Sequence, residues 1–153
     1  MALRNIVYSN STMIHKKSKY VEVFDEKLWE LLDDMKETMI KNEGVGIAAP
    51  QVGVLKQVVV IEAENMFFEL INPKIVKSVG SQQSVEGCLS VKDYNGLVIR
   101  PKTVTVEFYN RYGSFVTITV SDYLATVFCH EIDHLSGVLF TDKAKELYKK
   151  QDK

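Results

Sequence analysis

The sequence predicts an α+β fold in which antiparallel β-sheets pack around a central metal-binding helix, with an amphipathic helix nearer the N-terminus. Three observations carry that expectation: an apolar stripe at helical spacing in residues 28–39, a series of short strand-like runs through the middle of the chain, and two histidines four apart in a later helical segment. No internal repeat or linker divides the 153 residues, so one domain over 1–153 is expected, long enough to bury a core.

Each element has its own signal. Asp25 can cap a helix whose apolar residues Leu28, Leu31, Leu32, Met35 and Met39 fall on one face. Gly44 sits just past its end, a usual place for a terminating glycine. Val58-Val59-Val60-Ile61, residues 67–71 and Ile75-Val76 read as strands, with Asn72-Pro73 as a turn between the last two. Residues 103–108 and 115–120 alternate polar and apolar around Asn110-Arg111-Tyr112-Gly113, a hairpin pattern. Val104, Val106 and Phe108 should therefore face the core together with Val116, Ile118 and Val120. Ser121 or Asp122 can cap the final helix, which carries Leu124, Val127, Phe128 and Leu135 and should stop near Gly137.

Composition narrows the partners. With 19 basic and 20 acidic residues the net charge is −1, which exerts no global pull toward DNA or lipid. No apolar run approaches the ~20 residues of a membrane span, and the N-terminus lacks a signal-type apolar core. Two cysteines suit a reducing compartment better than a disulfide scaffold, so the cytoplasm is expected. Lys16-Lys17-Ser18-Lys19 and the tail lysines 143, 145, 149, 150 and 153 read as solvated faces, the tail being also a candidate for weak ribosome contact.

The chemistry is concentrated in His130-Glu131-Ile132-Asp133-His134. Two histidines at i and i+4 put both imidazoles on one face of a helix, the geometry needed to grip one metal ion, and Glu131 between them is placed to act as a general base. A hydrolytic metal site needs about three protein ligands and an open position. The metzincin pattern would supply a third histidine six residues after His134, where Phe140 stands instead. A thermolysin-like carboxylate would have to be Glu146, in the short Lys-rich tail, and His15 lies far upstream in a polar, basic segment. Cys88 remains: a thiolate with two imidazoles leaves one corner of a tetrahedron free and the site net positive. Gly44-x-Gly46-x-x-Ala49 also matches a relaxed dinucleotide fingerprint, but a helix precedes it where a strand is required, and Pro50 follows at once.

Three motifs in order, Gly44-Val45-Gly46-Ile47-Ala48-Ala49-Pro50-Gln51, Glu86-Gly87-Cys88-Leu89-Ser90 and His130-Glu131-Ile132-Asp133-His134, resemble those of bacterial-type peptide deformylases, and the resemblance covers nearly the whole chain. It implies a metal-dependent hydrolase that removes the N-formyl group from formyl-methionine at the start of newly made polypeptides, releasing formate. Carried over, Cys88, His130 and His134 are the metal ligands and Glu131 the general base and acid. Gln51, through its side-chain amide, and Leu89, through its backbone N–H, hold the formyl oxygen and the oxyanion formed from it. Gly44, Val45, Gly46, Glu86, Gly87, Arg100 and Val127 form the substrate-binding set: Gly46 lets substrate backbone pass, Val45 and Val127 are walls of a methionine pocket, and a Glu86–Arg100 ion pair braces the Cys88 loop. Asp133 is a candidate support for the helix or a histidine tautomer. The implied metal is Fe²⁺, although Zn²⁺, Ni²⁺ and Co²⁺ accept the same ligands.

Cys129 stands where that family usually has Gln, and residues 91–96 replace a Pro-containing loop. A neighbour on a helix points about 100° away, so Cys129 should not compete for the metal. The rivals are a broader metallopeptidase using the same helix, and a catalytically silent relative that binds nascent chains or metal.

Overall fold

The structure is a computed structural model describing residues 2–150. Its first long helix, α1 (Glu26–Lys41), begins at Asp25, whose side chain accepts from the Leu28 N–H, and buries Leu28, Leu31, Leu32, Met35 and Met39 as one stripe. The helix ends in a Schellman arrangement, with the Gly44 N–H on the Met39 carbonyl and the Glu43 N–H on that of Ile40. Glu43, at φ +58°, therefore takes the left-handed position expected of Gly44. Gly44 is small for a different reason, since a Cβ there would stand 3.0 Å from Cδ1 of Leu89.

Five antiparallel strands, β1 (Gly46–Ala48), β2 (Val58–Ala63), β3 (Met66–Val79), β6 (Thr103–Tyr109) and β7 (Phe115–Ser121), lie side by side in the order β1-β2-β3-β6-β7. In β2 the two-residue alternation feeds two cores. Val58 and Val60 pack with the α1 stripe, while Val59, Ile61 and Ala63 pack with helix α2 (Asp122–His134). Both faces of this sheet are covered here, so residues 58–61 of β2 form an unbroken apolar run.

The strand β3 corrects an expectation. It runs straight through Asn72-Pro73, where a turn was expected, because the ladder to β6 shifts register between Ile71 and Lys74. Proline, which has no N–H to donate, is tolerated at such an irregularity. Asn72 takes φ +54°, and its side chain bonds both the N–H and the carbonyl of Val21, replacing main-chain partners. The later hairpin follows its pattern: Val104 faces Val120, Val106 faces Ile118 and Phe108 faces Val116.

A second sheet holds the strand that ends at Cys88. β4 (Gln82–Cys88) and β5 (Val91–Arg100) form a hairpin, and β8 (Glu146–Lys149) adds to the far edge of β5. Residues 91–96 are thus strand and not loop, and the lysine-rich tail contains a strand. Ile14, Val91, Val98, Leu139 and Phe140 fill the space beneath. α2 starts after Ser121, whose hydroxyl bonds Thr103 instead of capping, and the chain then passes through Gly137 at φ +77° into the short α3 (Phe140–Lys143).

Candidate metal centre and active site

The hairpin end of β4 and the face of α2 bring Cys88, His130 and His134 together. One donor atom from each lies within 4.8 Å of the other two, and Cys88 Sγ is 3.5 Å from His134 Nε2. The histidines are buried and Cys88 is half-buried, so the trio is open on the thiol side. Burial and the neighbouring His130 push the His134 pKa well below its usual value, which keeps the ring neutral as ligation requires. Among the described residues His134 Nδ1 has no hydrogen-bond partner. A cysteine sulfur, two imidazole nitrogens and this spacing fit a divalent transition metal.

Behind the trio runs a chain of charges. Glu86 Oε1 accepts from His130 Nδ1 at 2.8 Å, which leaves Nε2 free for a metal. Arg100 donates to both oxygens of Glu86, at 2.9 and 2.8 Å, and to Asp133 at 2.6 Å. Lys143 closes the series on Asp133 at 3.0 Å. Burial alone would raise the Glu86 pKa; hydrogen bonds from Arg100 and His130 outweigh it and hold the carboxyl at about 2. The network fixes the His130 ring while keeping one anion beside it. Asp133 thus supports Arg100, not a histidine.

Glu131 is 5 % exposed, and among the described residues its Oε1 has no partner. Burial raises its pKa to about 7, with His130 opposing, so the carboxyl exchanges a proton near neutrality. Its other oxygen lies against β1: a Cβ on Gly46 would come within 2.7 Å of Oε2. Gly46 thus makes room for the side chain of Glu131. Gln51, 1 % exposed, is held from both ends, its Oε1 accepting the Ala48 N–H and its Nε2 donating to Ser90 Oγ at 3.2 Å and to Cys88 Sγ at 3.4 Å.

Two cavities meet at this point and share Val45, Gly87, His130 and Glu131. The first, about 260 Å³, continues past Gln51, Cys88 and Leu89 to Glu43 and Lys150. The second, about 300 Å³, is walled by Val45, Val85 and Val127, with Ser84, Tyr123 and Thr126 around them.

The family model for polypeptide deformylase matches residues 3–150. This chain belongs to that family. Peptide deformylase 2 of Clostridium acetobutylicum is 52% identical over 150 residues, covering 97% of this chain and 100% of the relative. The crystal structure of the Thermotoga maritima deformylase superposes with a TM-score of 0.93 at 35% identity, covering 95% of this chain and 100% of that one. The deformylase of Synechococcus elongatus, solved in complex with actinonin, gives 0.90 at 35% identity, over 94% of this chain and 79% of that one.

Against the deformylase expectation, the structure gathers Gly44, Val45, Gly46, Gln51, Gly87, Cys88, Leu89, His130 and Glu131 on the first cavity, and Glu86 and Val127 on the second. His134 completes the metal trio beneath them. Arg100 lines neither cavity; it lies behind them, 2 % exposed, as the partner of Glu86. Cys129 is buried in the core between α2 and the large sheet, where burial pushes its thiol up to about 11. His15 is exposed and bonds the Ser9 carbonyl, and Glu146 sits on β8 outside the metal trio. Sequence reasoning missed Ser90, Tyr123, Thr126, Glu43 and Lys150. Tyr123 and Thr126 were findable, since they precede Val127 and His130 by four residues and so share their helix face.

Proposed function

We propose that Cys88, His130 and His134 hold the metal of a peptide deformylase, and that Glu131 handles the proton in removal of the N-formyl group from formyl-methionyl chains. The observation that carries this reading is the cluster itself: three ligand atoms within 4.8 Å, with the Glu131 carboxyl beside them, its Oε1 without a hydrogen-bond partner among the described residues, and two cavities meeting over it. A divalent ion bound there supplies Lewis acidity, making water acidic enough to act as a nucleophile near neutral pH.

The residues divide the remaining work. Glu131, buried beside the trio with one oxygen unengaged among the described residues, takes a proton from the attacking water and passes it to the leaving amine. Gln51 Nε2 and the Leu89 N–H hold the oxyanion, each such donor contributing roughly 3–4 kcal/mol in a dry site. Val45 and Val127 receive the methionine side chain, and the rest of an extended peptide lies between Gly44–Gly46 on one side and Gly87–Leu89 on the other. The first segment leads into β1 at Gly46 and the second runs off the end of β4 at Cys88, each strand lying at the edge of its sheet, which suits main-chain pairing with an extended substrate. Glu86 and Arg100 orient His130. The whole described chain serves as one catalytic domain.

Fe²⁺ is the metal we favour, with Zn²⁺, Ni²⁺ and Co²⁺ as substitutes the same donors accept. The setting is cytoplasmic, and among the described residues no helix is long and apolar enough to cross a membrane. Lys145 and Lys149, exposed on and beside β8, support weak contact with ribosomal RNA, whereas Lys143 is engaged by Asp133.

Formate release from a formyl-Met tripeptide, by anaerobically prepared protein with its metal counted, tests the reading. Glu131→Gln should keep the metal and lose about 10²–10⁴-fold in turnover; Cys88→Ala should lose the metal. Metal retained in Cys88→Ala would sink the ligand set, and cleavage of unformylated internal bonds would favour a general metallopeptidase.

A further inference from the structure

The last described residues are built into the mouth of the cleft. Chain ends ordinarily fray unless a sheet ties them down. Here β8 pairs with β5 from Leu97↔Glu146 to Tyr94↔Lys149, and the strand is bracketed by the Lys145 N–H on the Leu97 carbonyl, 2.7 Å, and the Lys150 N–H on that of Asp93, 2.8 Å. The approach to β8 is fixed by packing, since a Cβ on Gly96 would stand 2.9 Å from the Phe140 ring and 3.0 Å from Ala144.

As a result Lys150 stands on the wall of the first cavity, with Gln51, Leu89 and Glu131. Among the described residues it is the one lysine or arginine there, and Lys149, on the other face of the strand, is not among the residues lining that wall. Among the described residues the Lys150 ammonium makes one long hydrogen bond, 3.5 Å, to the Val91 carbonyl. Among the described residues the lysine ion pairs belong to Lys102 and Lys143, so Glu43, which lines the same cavity, forms no ion pair with Lys150.

We propose that Lys150 is a specificity-determining residue that receives a carboxylate carried by the substrate two or three residues after its methionine. The inference rests on the deformylase reading above. With the methionine side chain in the second cavity, the continuing peptide leaves through the first, and Lys150 frames its open end. The carboxylate can be an Asp or Glu side chain or the terminus of a short peptide.

The metal-loaded full chain is assayed for kcat/KM on formyl-Met-Ala-Glu, formyl-Met-Ala-Gln and formyl-Met-Ala-Lys amides, and on formyl-Met-Ala-Ala as free acid and amide. Wild type should favour Glu over Lys by about three- to fivefold at low salt, the range of an exposed ion pair, and the preference should fade at high salt. Lys150→Gln should flatten the ratio and Lys150→Glu reverse it, while Lys149→Glu, with the same change in net charge, retains it. A free-acid advantage that Lys150→Glu abolishes extends the site to peptide termini; its absence confines the site to side chains. A Glu-to-Lys ratio unchanged by Lys150→Glu, or changed equally by Lys149→Glu, overturns the role of Lys150 and leaves deformylation standing. No formate from any peptide overturns the deformylase reading and this inference with it.

Discussion

Gly46 and Glu131 occupy one space: a Cβ on residue 46 would stand 2.7 Å from Oε2 of Glu131 and 2.8 Å from its Cγ. Neither side yields easily, because Gly46 is paired with Ile61 in the sheet and Glu131 is anchored on α2. Gly46→Ala should therefore displace the carboxyl while leaving Cys88, His130 and His134 untouched. The expected result is a fall of about 100-fold in kcat, the cost of misplacing a catalytic group by about an ångström, with metal content unchanged. Full turnover in that variant would show that Glu131 does not need this seat.

Glu86→Gln removes the anion shared by Arg100 and His130. Breaking a buried pair from one side costs about 3–5 kcal/mol, less here because Asp133 still engages Arg100. Loss of the His130 support should weaken metal binding about 10–100-fold. The pH dependence follows from the sign of the shift. Folding depresses the Glu86 pKa from 4.5 to about 2, so the folded state binds this proton less readily than the unfolded chain. The stability Glu86 contributes is complete above about 4.5 and disappears as pH falls toward about 2. Denaturant titrations across that window should show a steeper acid loss in wild type than in Glu86→Gln. Parallel curves would mean that the pair is not formed.

The two thiols should separate cleanly. Burial raises the Cys129 thiol to about 11 and excludes reagents, whereas Cys88 is half-buried on the cavity wall. With the metal chelated, an alkylating reagent should label Cys88 alone, read by mass spectrometry of the digested protein. Restoring the metal should protect Cys88, and denaturation should expose both. Labelling of Cys88 at the same rate with and without metal would remove it from the ligand set.

The histidine pair and α1 were legible because both rest on helical spacing, which survives any tertiary context: His130 and His134 must share a face, and so must Leu28, Leu32 and Met39. The β4–β5 hairpin was not. Gly87, Asn95 and Gly96 break its alternation, and its tight turn at Leu89-Ser90 looks like part of a loop motif. Asn72-Pro73 carried a turn signal that pairing with β6 overrode. Glu43 took a left-handed position that glycine usually fills, so Gly44 was assigned the wrong reason for its size. Lys150 lay in a run of lysines that nothing local distinguishes; only the register of β8 on β5 brings it to the cleft.

The charge network also bears on how the metal arrives. The ligands proposed for it come from two elements far apart in sequence, Cys88 on β4 and the histidines on α2, and in the absence of other ties the ion itself would have to close that long loop, as in small domains that fold only around zinc. Glu86 to His130 and Arg100 to Asp133 already fasten the same two elements. Much of the closure entropy is thus met by contacts between protein groups, so exchange of one metal for another would not require the chain to unfold, and the identity of the bound ion would be left to supply and affinity.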